Sequence, residues 1–232
     1  NKYTAKLLVG KTLKLKAKVQ PKNATIKSVA WSSSDNSIAT VDSSGRVQGL
    51  AAGMVKIRAK AKDGSGKSAV CLITVSEPIP ATGVDVTNNE LIVAKGRQIQ
   101  SGITIAPANS TDKIRYYSDN KAVARINKRG KIYANKVGQA TVYGETSNGQ
   151  VGYADVLVVT MNRRSLPLRL YDTETLRVNE ISTGVTWHSQ NPLIASVDST
   201  GKVIGRQRGV TRIYATVRGL KLSCKVTVSD IQ

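Results

Sequence analysis

WSSSDNSIATVDSSGRVQGLAAGMVKI, residues 31–57, occurs three times without a gap: it returns as YYSDNKAVARINKRGKIYANKVGQATV at 116–142 and as WHSQNPLIASVDSTGKVIGRQRGVTRI at 187–213. The copies share an aromatic residue (Trp31, Tyr116, Trp187), a serine two places on (Ser33, Ser118, Ser189) and an Ile/Val-Ala pair (Ile38-Ala39, Val123-Ala124, Ile194-Ala195). They also share a Gly-Arg/Lys-Val/Ile step (Gly45-Arg46-Val47, Gly130-Lys131-Ile132, Gly201-Lys202-Val203) and a last glycine (Gly53, Gly138, Gly209). Spacings of 85 and 71 residues between copies exceed the period of a solenoid and suit small domains. The 232 residues therefore read as three modules, with expected boundaries at 1–78, 81–160 and 161–232. A module of this size buries roughly two-thirds of the surface its unfolded chain exposes, enough for a modest core.

The hydrophobic period sets the fold class. Thr12 to Val19 alternates strictly, which predicts one strand with Leu13, Leu15, Ala17 and Val19 on its inner face and Lys14, Lys16 and Lys18 outside. Val55 to Lys62 alternates likewise and turns Arg58, Lys60 and Lys62 outward. Each module closes on a β-rich run, Cys71 to Val75, Asp155 to Val159 and Cys224 to Val228; on this reading Asp155 stands where Cys71 and Cys224 sit. Between the runs, Asp42-Ser43-Ser44-Gly45, Asn127-Lys128-Arg129-Gly130 and Asp198-Ser199-Thr200-Gly201 each start with Asp or Asn and end with Gly, the chemistry of a type I turn followed by a positive φ. Asp63-Gly64-Ser65-Gly66, Asn148-Gly149 and Arg218-Gly219 fall where the last two strands of each module would join. No window keeps a helical period, and short strands with frequent turn signals indicate an all-β fold of sandwiches.

The order aromatic-x-Ser, Ile-Ala-x-Val-Asp, Gly-Lys/Arg-Val, Gly and a terminal Cys-x-Val-Thr-Val resembles the group 2 bacterial immunoglobulin-like (Big) domain family. The fullest match runs from Val29-Ala30-Trp31-Ser32-Ser33-Ser34 to Val41-Asp42-Ser43-Ser44-Gly45-Arg46-Val47, with Pro21-Lys22-Asn23-Ala24-Thr25 ahead of it. The resemblance covers all three modules. It implies three tandem immunoglobulin-like β-sandwiches in an elongated arrangement, joined by short linkers at Glu77 to Thr82 and Thr160 to Arg164. Departures are local: Tyr116 replaces tryptophan, and the third module lacks the Pro-x-Asn-x-Thr segment, which predicts a tighter loop before Trp187. Residues matching Gly83-Val84-Asp85-Val86 would precede Asn1, so the chain is expected to open inside a first strand, as a piece of a longer protein.

Catalytic constellations are missing from this sequence. His188 has no neighbour that would make it a general base. Asp63-Gly64-Ser65-Gly66-Lys67-Ser68 has Ala61 where a phosphate-binding loop requires glycine. No metal-ligand or nucleophile motif occurs, and Asp35, Asp42, Asp112, Asp119 and Asp198 suit turn capping better than calcium. Catalytic residues, cofactors and metals are thus assigned as none, and Cys71 and Cys224 as buried thiols of different modules, too far apart to bridge.

Charge is what remains for function. Thirty-five Lys and Arg against fifteen Asp and Glu give +20, and residues 1–80 carry the largest share, fourteen basic against four acidic. The candidate polyanion contacts are Lys14, Lys16, Lys18, Arg58, Lys60 and Lys62, on strands expected to belong to opposite sheets. Nucleic acid is disfavoured as the polyanion, because the chain has no Phe and only two Trp, both at core-like positions, and so offers no aromatic platform. A polyanionic cell-wall polymer, host glycan or surface protein fits better. No run is long and apolar enough to cross a membrane; the resemblance implies a setting at the bacterial surface or exterior. The resemblance implies a monomeric rod acting as an adhesive or spacer array. The alternatives are accessory carbohydrate-binding modules of a secreted polysaccharide-degrading enzyme, or a phage-virion decoration protein.

Overall fold

A computed structural model describes residues 3–230 and divides the chain into two compact units, residues 1–80 and 81–232. The first unit runs β1 (Thr4–Leu8), β2 (Thr12–Lys14), β3 (Val29–Ser33), β4 (Ala39–Val41), β5 (Arg46–Gly49), β6 (Gly53–Ala61) and β7 (Ser68–Ser76). Sheet β1-β7-β6-β3 faces sheet β2-β5-β4, with β1 parallel to β7 and the longer neighbours antiparallel. The nine residues of β6 bury every second side chain, Val55, Ile57 and Ala59 inward and Lys56, Arg58 and Lys60 outward, as a strand half-exposed on one face must. Its core comprises Leu7, Leu15, Ala39, Val47, Val55, Ile57, Cys71, Ile73 and Val75. Fully burying each larger aliphatic among these stabilises by about 1.5–3 kcal/mol.

The second unit contains two further sandwiches. The first of them comprises β8 (Gly83–Val86), β9 (Glu90–Ala94), β10 (Gln98–Gln100), β11 (Ile103–Ala106), β12 (Ile114–Ser118), β13 (Ala124–Ile126), β14 (Lys131–Ala134), β15 (Gly138–Thr146) and β16 (Val151–Val159). Then follow β17 (Ser165–Arg169), β18 (Thr173–Thr175), β19 (Thr186–Ser189), β20 (Ala195–Val197), β21 (Lys202–Gly205), β22 (Gly209–Val217) and β23 (Leu220–Ser229). The sheet orders repeat those of the first unit: β9-β16-β15-β12 with β10-β14-β13, and β17-β23-β22-β19 with β18-β21-β20. An added pair, β8 with β11, flanks the earlier sandwich. Among the described residues there is no helix, and the architecture is the all-β, multi-domain one expected.

The three repeated turns form as their residues dictate. Asp42 Oδ1 accepts from Ser44 N–H, Ser44 Oγ and Arg46 N–H. Asn127 and Asp198 hold their turns in the same way. Gly45, Gly130 and Gly201 then take φ values of 80°, 72° and 86°. The bond ahead of each turn also recurs: Leu15, Ser101 and Leu176 donate their N–H groups to the carbonyls of Gly45, Gly130 and Gly201. Tyr116, in the tryptophan place, turns its hydroxyl onto the Ile103 carbonyl at 2.9 Å. Eight residues stand between Val178 and Trp187, and thirteen between the equivalent Ala17 and Trp31.

Three expectations are corrected. The strand drawn from Thr12 to Val19 ends at Lys14; Leu15 is buried but Ala17 is exposed, and among the described residues no strand pairs with Ala17–Gln20 as β8 pairs with β11. The residue in the place of Cys71 and Cys224 is Ala154, opposite Val142 as Cys71 is opposite Ile57. Asp155, one position on, points outward and accepts from Thr141 Oγ1 at 2.8 Å. Thr160 to Arg164 is not a linker either. Met161 is buried and bridges to Val178, Asn162 N–H donates to the Arg177 carbonyl and Asn179 N–H to that of Thr160. Val158 lies in one core of the second unit while Val159 and Met161 lie in the next, so β16 runs directly into the following sandwich. The expectation that the chain opens inside a strand falls on Asn1 and Lys2, outside the described residues.

Candidate functional site

Of the six basic residues singled out from the sequence, Lys14, Arg58 and Lys60 lie on strands of the first unit, in opposite sheets. Lys14 ends β2 and donates to Ser44 Oγ at 2.7 Å, beside the turn that Asp42 caps. Arg58 and Lys60 project from β6, and Lys62 follows it; all are exposed. Lys16 and Lys18 leave the sheet altogether and stand on the rim of a groove. The structure thus joins Lys16 and Lys18 in one feature and leaves Lys14, Arg58, Lys60 and Lys62 spread over two faces, a field rather than a shaped site.

The groove has a volume of about 720 Å³. Its floor is apolar, formed by Leu15, Trp31, Ile57, Ala59 and Cys71, and its walls are Ala17–Gln20 on one side and Ser68–Val70 on the other. Lys16, Lys18, Lys67 and Asp63 stand at its edge, and the Asp63 turn that joins β6 to β7 closes one end through Ser65. Alternation from Thr12 to Val19 hides this groove, because it counts Ala17 and Val19 into a buried strand face.

A second feature also went unrecognised. Cross-strand register places Tyr117 opposite Tyr143 and Tyr143 opposite Tyr153, a row of three tyrosines on the outer face of β12-β15-β16. Tyr117 and Tyr143 stack at 5.0 Å and 12°, and Tyr153 follows at 6.2 Å. Arg115 lies over Tyr117 at 5.3 Å and pairs with Glu145 at 2.6 Å. Stacked rings present their edges and hydroxyls to solvent, so the row stabilises the sheet, by about 0.5–1.5 kcal/mol per pair, and leaves a polar tyrosine margin.

Candidate catalytic or metal chemistry stays without support in geometry. His188 is an exposed residue of β19 opposite Tyr214, and among the described residues no three His, Cys, Asp or Glu converge on a metal position. The aspartates hold backbone: Asp112 accepts from Ala81 N–H and Asp119 from Thr141 N–H. Hydrogen bonds from Ser37, Ser44, Ser65 and Thr200 lower the carboxyl pKa values of Asp35, Asp42, Asp63 and Asp198. Neither cysteine forms a disulfide. Burial pushes the Cys224 thiol up to about 11, against a smaller opposing pull from Arg163 and Arg212.

Comparison with known proteins places these features in a family. The profile of the bacterial Ig-like domain, group 2, matches three times, at residues 2–71, 80–154 and 165–228. An Ig-like virion protein of Serratia phage KSP90 is 31% identical over 162 residues, 68% of this chain and 62% of that protein. An uncharacterised protein of Clostridium acetobutylicum is 31% identical over 163 residues, 70% of this chain and 17% of its own length. A 3-O-alpha-D-galactosyl-alpha-L-arabinofuranosidase of Bifidobacterium longum is 45% identical over 73 residues, 32% of this chain and 6% of the enzyme. The chain therefore spans less than two-thirds of the length of each of these relatives. Among solved structures, a C-terminal fragment of intimin in complex with its receptor's binding domain aligns with 64% of this chain at 19% identity and a TM-score of 0.40.

Proposed function

The chain belongs to the group 2 family of bacterial Ig-like domains, and on that premise we propose that its three modules form a non-catalytic array of a bacterial surface or secreted protein, acting as an adhesive or spacer and drawn to anionic polymers of the envelope or of a host. Domains of this family are generally non-catalytic, and the surface or virion setting of relatives supports an extracellular place. The observation that carries the polyanion part is the charge of residues 1–80, fourteen basic against four acidic, with Lys14, Lys16, Lys18, Arg58, Lys60 and Lys62 all exposed. Charge spread over two sheets favours diffuse attraction that fades as salt shortens the Debye length. Retention on immobilised teichoic acid or heparin should then fall steeply between about 50 and 200 mM salt, and replacing Lys14, Lys16 and Lys18 together by Gln should weaken it. No retention at low salt would leave the lysines as a solubility coat.

A second reading rests on two observations: the likeness to part of a Bifidobacterium arabinofuranosidase and the solvent-facing row of Tyr117, Tyr143 and Tyr153. Under it the modules accompany a polysaccharide-degrading enzyme and touch carbohydrate through the tyrosine margin. Affinity electrophoresis in arabinan or galactan gels tests this, with Tyr153→Ala as the variant that should abolish retardation.

A further inference from the structure

The outer face of sheet β12-β15-β16-β9 carries two parallel rows that the matching faces of the other sandwiches lack. One row is Tyr117, Tyr143 and Tyr153. Two residues on along the strands, about 7 Å away, lie Asp119, Thr141, Asp155 and, opposite Asp155, Glu90. Register aligns the tyrosines with Ser32, Arg58 and Val70 of the first unit, and with His188, Tyr214 and Ser223 of the last sandwich. It aligns Asp119, Thr141 and Asp155 with Ser34, Lys56 and Leu72, and with Gln190, Arg212 and Lys225. The shared fold therefore has no need of either row. Beside the second row the sheet borders a cleft of about 470 Å³, within the range of small-molecule sites. Gln139 and Leu157 line it from the same sheet, and Arg218 from the β22–β23 turn of the next sandwich. Arg218 pairs with Glu90 at 3.4 Å, and Ile92 and Leu157 pack against the core of that sandwich, which fixes the wall. Thr141 fixes the row: its N–H donates to Asp119 Oδ1 and its hydroxyl to Asp155 Oδ1, both at 2.8 Å.

We propose that this cleft binds a linear neutral oligosaccharide laid across the strands, with its hydroxyls on the Asp119-Thr141-Asp155 row and its apolar edge toward Tyr143 and Tyr153. The proposal rests on the carbohydrate reading above and names the class of sugar and the place where it lies. Charge decides the class. A polyanion meets the carboxylates of Glu90, Asp119 and Asp155, while a polycation meets Arg218 and the field of a chain at +20. A neutral hydroxylated chain incurs neither repulsion. Each aspartate spends one oxygen on Thr141 and has a second with which to accept a sugar hydroxyl in a charge-assisted bond. Gln139 and Arg218 add donors, and Leu157 and the exposed Tyr153 add apolar surface for the C–H face of a sugar ring. Asp119 and Asp155 stand two strand spacings apart, about 10 Å at the backbone. A ligand that reaches both is a chain of sugars rather than a single one.

The test titrates the full chain with linear galactan and arabinan oligosaccharides and follows its amide resonances, which needs no variant to fold. Saturable shifts are expected at Asp119, Thr141, Asp155 and Arg218, with an affinity that changes by less than about two-fold between about 50 and 200 mM salt, where attraction to polyanions fades. Asp155→Ala, at an exposed position, should weaken binding by about ten-fold or more through loss of a bond to a charged group. Thr141→Val keeps both carboxylates but removes the hydroxyl that holds Asp155, and should weaken binding by a smaller factor. Shifts confined to the tyrosine row, abolished by Tyr153→Ala and indifferent to Asp155→Ala, would leave the carbohydrate reading standing and overturn the cleft. Absence of saturable shifts with either sugar overturns both. Tighter binding of polygalacturonate or of poly-lysine at the same residues overturns the assignment to a neutral chain.

Discussion

Gly45→Ala and Gly64→Ala form a matched pair within the first unit. Both glycines have left-handed backbones, φ 80° and 82°, so alanine at either costs about 1–2 kcal/mol in conformational strain. They differ in surroundings. A Cβ at Gly45 would lie 2.7 Å from Trp31 Cζ2 and 2.8 Å from the Leu15 carbonyl oxygen, whereas at Gly64 nothing lies within 4 Å. The Leu15 carbonyl is backbone and the indole is packed in the core, so neither yields without moving β2 or β3. Overpacking of this kind costs about 1–3 kcal/mol, which brings Gly45→Ala to about 2–5 kcal/mol and leaves Gly64→Ala at about 1–2. Against a stability of about 4–12 kcal/mol for 80 residues, the first change unfolds a measurable share of molecules. Urea melts of both variants and of the parent chain, followed by tryptophan fluorescence and by circular dichroism, give the two differences. Losses equal within about 0.5 kcal/mol would refute the claim that the repeated Gly-Arg/Lys step exists to seat the aromatic ring, and would reduce it to turn geometry.

Met161→Ala should destabilise the second unit by about 2–5 kcal/mol in a urea melt, where a solvated linker residue would change it by less than about 0.5. Trypsin under native conditions should leave the Arg163-Arg164 bond intact, because Asn162 pairs with Arg177 and the Arg164 carbonyl accepts from Lys225; early cleavage there would contradict the direct run from β16 into the next sandwich. Cys224, with its thiol pushed up to about 11 from 9.0, holds about a hundred-fold less thiolate than an unperturbed cysteine at pH 8. A disulfide reagent should therefore modify it only as the chain unfolds, and stoichiometric modification in the native state argues against its burial. Acid should weaken the fold through Asp42 and Asp198. Their carboxyl pKa values are lowered from 3.8, first by Ser44 and Thr200, so their contribution is present above the ordinary value and is lost as pH falls through the lower folded values. Asp42→Ala together with Asp198→Ala should flatten the acid limb of a melting profile below about pH 4 and lower the plateau above it.

What the sequence determined by itself was everything governed by neighbours along the chain. Alternation in Val55 to Lys62 sufficed to orient β6, because successive side chains of a strand point to opposite faces. Asp42-Ser43-Ser44-Gly45 and its two relatives sufficed for the turns, because an Asx side chain caps its own backbone two and four residues on. Repetition of these local units disclosed the modules and their family. Only the tertiary structure decided which partners the strands found. The period of Thr12 to Val19 is as regular as that of β6, yet only Thr12–Lys14 pair, since a strand persists where another edge satisfies its backbone. The tyrosine row was hidden for the same reason, being drawn from three strands whose register no local pattern displays. Aligning Asp155 instead of Ala154 with the two cysteines is an error of one residue, and in a strand one residue exchanges the core face for the solvent face. Pairing between distant segments fixes that choice.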